Sequence, residues 1–211
     1  MNTAGPFETL SNWIVVAGAV SLLSVILASW LASVRRPKVV LPGSREGFFA
    51  WPVWAQIATG LGACVLIAYL GYLLWMPFPF TVSARVGTIL RLLGLVFFVA
   101  GWSLVLWARW ALGGMYGVST SFAAPLQAQH RLIQHGPYAH IRHPMYLGYW
   151  LLLAGVTAMY RTWTPLLLLA MCAVSFYWRA RREEAALENA FGAAWQAYQA
   201  RTGRFLPRWN K

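Results

Sequence analysis

The strongest constraint on the fold of this chain is a succession of apolar runs, each comparable to the thickness of a bilayer. Runs at 13–34, 53–76 and 86–112 carry few charges, and shorter runs follow at 146–160 and 163–178. A helix needs roughly 20 apolar residues to cross the hydrocarbon core. The last two runs are short for that, so they are expected to form a tight helical hairpin. Only 10% of the residues are charged and mean hydropathy is +0.54. A water-soluble globule, about a quarter charged, is thereby set aside. The 13 Trp residues point the same way, because Trp gathers at membrane interfaces.

The breaks between runs are chemically distinct. Residues 1–12 hold Glu8 as their only charge, which is unlike the basic start of a cleaved signal peptide, so the first run reads as a retained span. Arg35, Arg36, Lys38 and Arg45 follow it, broken by Pro37, Pro42 and Gly43. Arg91 and Arg109 lie near the ends of the third run, where long cationic side chains can snorkel to the interface. Cys64 and Cys172 both lie in apolar runs and read as packing residues, not as a disulfide or metal pair.

Charge asymmetry sets an expected orientation. With five crossings, every Lys and Arg except Arg85, Arg91 and Arg161 falls on one side. Positive charge marks the cytoplasmic side, so the amino terminus is expected outside and the carboxyl terminus in the cytoplasm, in a membrane such as a bacterial inner membrane. The net charge of +12 is then accounted for without nucleic acid, for which no recognition motif is present. The polar stretches 113–145 and 179–211 share the cytoplasmic side and can build one site.

Two constellations carry the chemistry. The segment from His130 to Gly148 contains all four His residues, a Gly136-Pro137 turn, and Arg142-His143-Pro144 just before the fourth run. Irregular backbone at membrane depth is tolerated where it lines a cavity or is buried in protein. A pocket for a polar ligand is one reading of this segment, and a basic loop touching lipid headgroups is the other. His140 and His143 lack the companions and spacing of a metal site, so no metal is expected. The second constellation begins at Arg179. At 100° per residue, Glu184, Leu187, Phe191, Trp195 and Tyr198 form one helical stripe. A carboxylate in an apolar stripe needs a partner, because burying it alone is costly. Arg179 and Glu183, four apart, share another face.

Together these residues resemble the isoprenylcysteine carboxyl methyltransferase family, membrane enzymes related to phospholipid N-methyltransferases. The resemblance rests on His130, Leu132, Ile133, Gly136, Pro137 and Tyr138, then Arg142, His143, Pro144, Tyr146 and Gly148. After the hairpin it continues through Glu183, Glu184, Leu187, Phe191, Gly192, Trp195 and Tyr198. The first 110 or so residues match only as apolar spans. The resemblance implies an all-α, polytopic integral membrane protein of about five transmembrane helices. Residues 1–112 would supply three of them, and residues 113–211 a methyltransferase region with a cytosolic pocket for S-adenosyl-L-methionine. It places cofactor contacts on His130, Arg131, Leu132, Ile133, Tyr138, His143, Pro144, Met145 and Tyr146. It places a cofactor-facing carboxylate on Glu183 and a substrate-facing cation on Arg179. The stripe adds Glu184 as a second candidate for the chemistry. A lipophilic or lipidated acceptor would enter from the bilayer.

The expected reaction is methyl transfer from S-adenosyl-L-methionine, with an isoprenylcysteine-like carboxylate as first choice of acceptor. A carboxylate is already a nucleophile and needs only alignment. An amine or phenol would need a proton acceptor, with His140 or Glu184 as candidates. The tail from Arg201 departs from the prenyl-protein enzymes and bears on the substrate more than on the reaction. NADPH-dependent sterol-type reductases share Arg142-His143-Pro144 and Tyr146-x-Gly148, but their motif usually has Asn after Pro and an acid after Gly, where this chain has Met145 and Tyr149. A membrane scaffold or small transporter would call for ionisable residues near mid-span, and Arg91 and Arg109 lie near span ends instead.

Overall fold

A computed structural model describes residues 5–34, 51–113 and 131–208. Among these residues the secondary structure is helical, without a strand: α1 Pro6–Val34, α2 Val53–Leu73, α3 Ala84–Leu112, α4 Pro144–Tyr160, α5 Trp163–Phe191 and α6 Ala193–Arg201, with a 3-10 turn at Gly136–Ala139 before α4. Helices α1 and α3 are long and apolar enough to cross a membrane. The outer faces of α2 and α3 leave Leu61, Val65, Ile67, Leu92, Val96 and Trp110 exposed. Apolar surface on that scale requires an apolar surrounding.

Backbone contact between α3 and α4 organises the centre. Gly94, Phe98, Gly101, Val105 and Ala108 are buried on α3, facing buried Pro144, Gly148, Leu152, Gly155 and Met159 on α4. A Cβ at Gly94 would lie 2.6 Å from the Gly155 carbonyl oxygen, and one at Gly101 2.5 Å from that of Gly148. The reciprocal positions are as tight: a Cβ at Gly155 would stand 2.5 Å from the Gly94 carbonyl oxygen, and one at Gly148 2.9 Å from that of Gly101. The glycine pairs repeat at seven residues on both helices and run antiparallel. In lipid, where apolar side chains gain little by leaving the solvent, such close approach holds helices together by dispersion. This seam crosses the expected boundary at 112–113.

Helix α1 crosses α3 at Gly18, where a Cβ would meet the Phe98 ring at 2.7 Å. Three polar clamps hold it. Arg91 donates to Ser11 Oγ at 2.9 Å and Asn12 Oδ1 at 3.3 Å, and pairs with Glu8 at 3.5 Å. Trp102 Nε1 donates to Ser21 Oγ at 2.8 Å. Arg109 donates to Ser29 Oγ through Nε and Nη2 at 3.0 and 2.9 Å. Arg91 and Arg109 therefore turn inward to α1 rather than only reaching for the interface. With no acid in the third run, the hydroxyls of α1 are the nearest acceptors.

The hairpin expected from the last two runs is present, closed by Arg161 and Thr162. Arg161 takes a left-handed φ of 52° and caps α4 by donating its N–H to the Thr157 carbonyl at 2.8 Å. Two backbone bonds tie this turn to the chain after α2: Phe78 N–H to the Arg161 carbonyl at 2.9 Å and Trp163 N–H to the Met76 carbonyl at 3.1 Å. Helix α5 does not stop where its apolar run ends. It continues unbroken through the charged residues 179–191, so the apolar base and the polar arm form one rod. The single stripe expected from Glu184 to Tyr198 is divided. Gly192, at φ 49° and ψ −120°, ends α5 and starts α6 on a new axis.

Replacing Gly101 with Ala should lower the thermal unfolding midpoint in detergent, at the cost of about 1–3 kcal/mol typical of overpacking. Gly60→Ala, whose Cβ meets nothing within 4 Å, is the control. Equal midpoints for the two variants would argue against the seam.

Candidate functional site

Three segments converge beyond the polar end of α4. The first is the backbone 141–143, extended before Pro144 because a residue preceding proline avoids the helical region. The second is the polar arm of α5. The third is the turn after α6, which runs parallel to the first. Arg142 N–H donates to the Gly203 carbonyl at 2.8 Å and His143 N–H to the Arg204 carbonyl at 3.0 Å. A Cβ at Gly203 would overlap the Leu206 carbonyl, so this tight turn requires glycine.

Glu184 lies at the meeting point and is only 5% exposed. Arg142 Nε donates to its Oε1 at 2.9 Å, and His143 Nε2 lies 3.2 Å from the same oxygen. Arg204 forks onto it, with Nε 3.0 Å from Oε1 and Nη2 2.7 Å from Oε2. Burial alone would raise the Glu184 carboxyl. Hydrogen bonds from His143, Arg204 and Arg142 outweigh burial and hold it well below the usual carboxylate range. The paired carboxylate that the helical stripe demanded thus has two guanidinium partners. Arg142 also donates to the Gln199 carbonyl at 3.2 Å and to the Thr202 carbonyl, which fixes the end of α6.

Glu183, one residue earlier, faces a more open edge. Tyr146 donates its hydroxyl to Glu183 Oε1 at 2.6 Å, Arg179 Nε is 3.5 Å away, and His143 Nδ1 lies 3.6 Å from Oε2. The Tyr146 ring lies between two others, 5.3 Å from His143 at an interplanar angle of 4° and 4.6 Å from Phe176 at 15°. The Arg179 guanidinium lies over Tyr146 at 5.9 Å. His143 bridges the two carboxylates, with one ring nitrogen toward each.

The structure thus brings together His143, Tyr146, Arg179, Glu183 and Glu184. Pro144 is fully buried as the first residue of α4. Met145 points elsewhere, packing against the Leu22, Phe98, Val105 and Leu152 cluster on the α1–α3 side. Tyr138 is buried in the 3-10 turn and accepts, through its carbonyl, the Tyr198 hydroxyl at 2.7 Å. Burial pushes the Tyr198 hydroxyl up to about 12, against the opposing pull of Arg142. Leu132 and Ile133 are half-buried in the irregular segment before that turn, and Arg131 and His140 are exposed. His130 lies outside the described residues. No group of three or more His, Cys, Asp or Glu side chains placed to hold a metal occurs among the described residues.

Sequence reasoning did not assign Arg204 or Phe205 to the site. Phe205 packs its ring 5.8 Å from His143 and 4.5 Å from Trp150. The signal available for Arg204 was the need of Glu184 for a cation, which the sequence could not allot among the nearby arginines.

A group whose folded value is depressed adds stability above its unfolded value, and that stability is lost as pH falls. The fold should therefore weaken as pH drops below the ordinary carboxyl value of 4.5. Glu184→Ala should flatten that acid limb and cost about 3–5 kcal/mol at neutral pH, as expected when a buried ion pair loses one partner. Urea unfolding across pH reads both, and an unaltered acid limb would separate Glu184 from the fold's acid sensitivity.

The comparisons with known proteins bear on this arrangement directly. A family model described as phospholipid methyltransferase matches residues 89–194. Among solved structures, the eukaryotic intramembrane Ras methyltransferase, isoprenylcysteine carboxyl methyltransferase, is similar at 20% identity and a TM-score of 0.54. The match covers 69% of this chain and 52% of that one, so the chain spans about half the length of that methyltransferase. No curated protein matches the chain. The shared fold is that of a helical membrane protein. The matched span takes in half of this chain, with α3 from Ile89 onward, the glycine seam, the Arg142–Tyr146 corner and both carboxylates of α5, and the chain belongs to the phospholipid methyltransferase family.

Proposed function

We propose that the protein transfers a methyl group from S-adenosyl-L-methionine to a lipophilic acceptor at the Arg-rich end of a five-span bundle. The observation that carries this reading is the pairing of a triply held carboxylate, Glu184, with the more open Glu183, on which Tyr146, Arg179 and His143 converge. Helix α4 has 17 residues, about 25 Å at 1.5 Å per residue, which is adequate for a slightly thinned crossing. The orientation proposed is amino terminus out and carboxyl terminus in the cytoplasm.

The residues present fit the cofactor chemically. S-adenosyl-L-methionine, when bound, supplies an electrophilic methyl on a positively charged sulfonium. Glu183 offers a carboxylate to an ammonium or to ribose hydroxyls. The Tyr146 hydroxyl and the Arg179 guanidinium orient that carboxylate. The irregular segment 131–135 offers backbone donors and acceptors not consumed by a helix. His130, Arg131, Leu132, Ile133 and Tyr138 belong to this proposed binding segment, with Pro144 and Met145 setting the backbone beside it.

The residues divide the work by their surroundings. Glu184, already bonded to two arginines and a histidine, holds position and accepts no proton at neutral pH. It fixes His143 and Arg142 against α5, so the aromatic stack has one geometry. Arg179, over Tyr146 and beside Glu183, is placed to orient an acceptor carboxylate by a charge-assisted fork. Such an acceptor needs alignment and exclusion of water, which rigid aromatic walls provide. We favour an isoprenylcysteine-like carboxylate on this ground. The family match favours a second reading, a phospholipid amine, which arrives protonated and must lose a proton before attack. On that second reading Glu183 takes the proton and is not a cofactor contact.

Calorimetry on detergent-purified protein tests the cofactor class. S-adenosylmethionine and S-adenosylhomocysteine should bind in the micromolar range and NADPH should not. NADPH binding alone would move the assignment to a sterol-type reductase. Glu183→Gln should weaken adenosyl-ligand binding by roughly 10- to 100-fold, the size of one charged hydrogen bond. Arg179→Ala should lower the rate of labelled-methyl transfer to a prenylcysteine analogue while sparing cofactor affinity. Equal loss of both would make Arg179 a cofactor contact instead.

A further inference from the structure

A groove of roughly 650 Å³ borders the site just described and shares Arg204 and Phe205 of the turn after α6 with it; its other walls are Trp150 of α4 and Ala173, Val174, Tyr177 and Trp178 of α5. Its walls are apolar and aromatic except at one end. There Arg204 gives Nε and Nη2 to Glu184 while its side chain stays 30% exposed, over the Tyr177 ring at 5.7 Å. Two guanidiniums, Arg142 and Arg204, share the single carboxylate of Glu184. The cluster therefore carries surplus positive charge on the side that borders the groove. A second cation, Arg181, lies over the Trp178 ring at 5.6 Å. The Trp150 indole Nε1–H is buried and finds no acceptor among the described residues.

The occupant these features describe has a long apolar part and an anionic, acceptor-rich head. Tyr177 and Trp178 sit where the apolar run of α5 gives way to Arg179, the depth at which headgroups lie. We propose that the groove binds one anionic phospholipid from the leaflet on the Arg-rich side. Its phosphate contacts the exposed edge of Arg204 and an acyl chain lies along Val174 and Trp150. The bound lipid neutralises the surplus charge and holds the turn 202–206 against the 141–143 backbone. It is a structural ligand, distinct from the methyl acceptor, and its recognition follows from charge rather than from chain type.

The test uses the full chain in detergent and asks for no methyl transfer, so it stands apart from the proposed reaction. Phosphatidylglycerol and phosphatidylcholine with identical acyl chains are added separately, retained lipid is read by native mass spectrometry, and the unfolding midpoint is read in parallel. One phosphatidylglycerol should be retained at least fivefold over phosphatidylcholine and should raise the midpoint by several degrees. Val174→Trp fills the groove without touching the Glu184 cluster and should abolish both the preference and the shift. Arg204→Gln should abolish the preference as well, and the Val174 variant keeps the test decisive if Arg204→Gln fails to fold. Equal retention of the two lipids, or an unchanged preference in Val174→Trp, would overturn the proposal. Competitive displacement of phosphatidylglycerol by a prenylcysteine analogue would also overturn it, by giving the groove to the acceptor.

Discussion

A carboxylate cannot be charged and buried without cations that are buried with it, and Glu184 makes the polar end of this protein obey that rule. From α5 it draws partners from two other places in the chain: Arg142 and His143 before α4, and Arg204 beyond α6. Each partner is also held by its backbone, since the N–H groups of Arg142 and His143 bond to the carbonyls of Gly203 and Arg204. The carboxylate and the short parallel bridge therefore lock the same segments twice. Without the ion cluster, those two backbone bonds and the packing of Phe205 on His143 and Trp150 would have to keep the turn after α6 against the corner where the aromatic stack begins.

That corner is useful only if α4 is itself fixed. Within lipid the fixing force is contact at backbone distance, supplied by the glycines of α3 and α4. The seam sets the depth and rotation of α4, and thereby the positions of His143 and Tyr146 at its end. Helix α1 is then fastened to α3 by hydroxyl–guanidinium and hydroxyl–indole bonds rather than by a broad apolar face. Polar clamps of this kind suit a helix whose other faces have lipid as their solvent, because apolar contact alone would not choose one rotation over another.

The two carboxylates of α5 show how neighbours in sequence take different tasks from their surroundings. Glu183 and Glu184 are adjacent on one helix, so they point about 100° apart. Glu184 turns into a ring of donors that occupies both oxygens. Glu183 turns toward a tyrosine hydroxyl, with more solvent access and one close cation. The helical stripe in the sequence distinguished them correctly by face and identified Glu184 as the acid in need of a partner. It did not show that the stripe breaks at Gly192, because glycine is tolerated inside a helical pattern and its positive φ is a property of the folded chain. Trp195 and Tyr198 are buried all the same, from a separate short helix.

The sequence by itself determined the solvent and the local elements. Long uncharged runs can satisfy their backbone only as helices in lipid, and Pro77, Pro79 and Pro144 mark breaks between those helices. It also singled out His143, Tyr146, Arg179, Glu183 and Glu184, which the fold brings together, through motifs whose spacing resembles a known family. Tertiary structure alone decided which arginine serves which carboxylate, since several lie within reach and Coulomb attraction does not discriminate among them along the chain. It decided that Met145 faces the core of α1 and α3 while its neighbours His143 and Tyr146 face the site, because α4 rotates to put its glycines on α3. It also brought the distant Arg204 and Phe205 into the cluster, through a turn whose course depends on Gly203 and on the burial of a single charge.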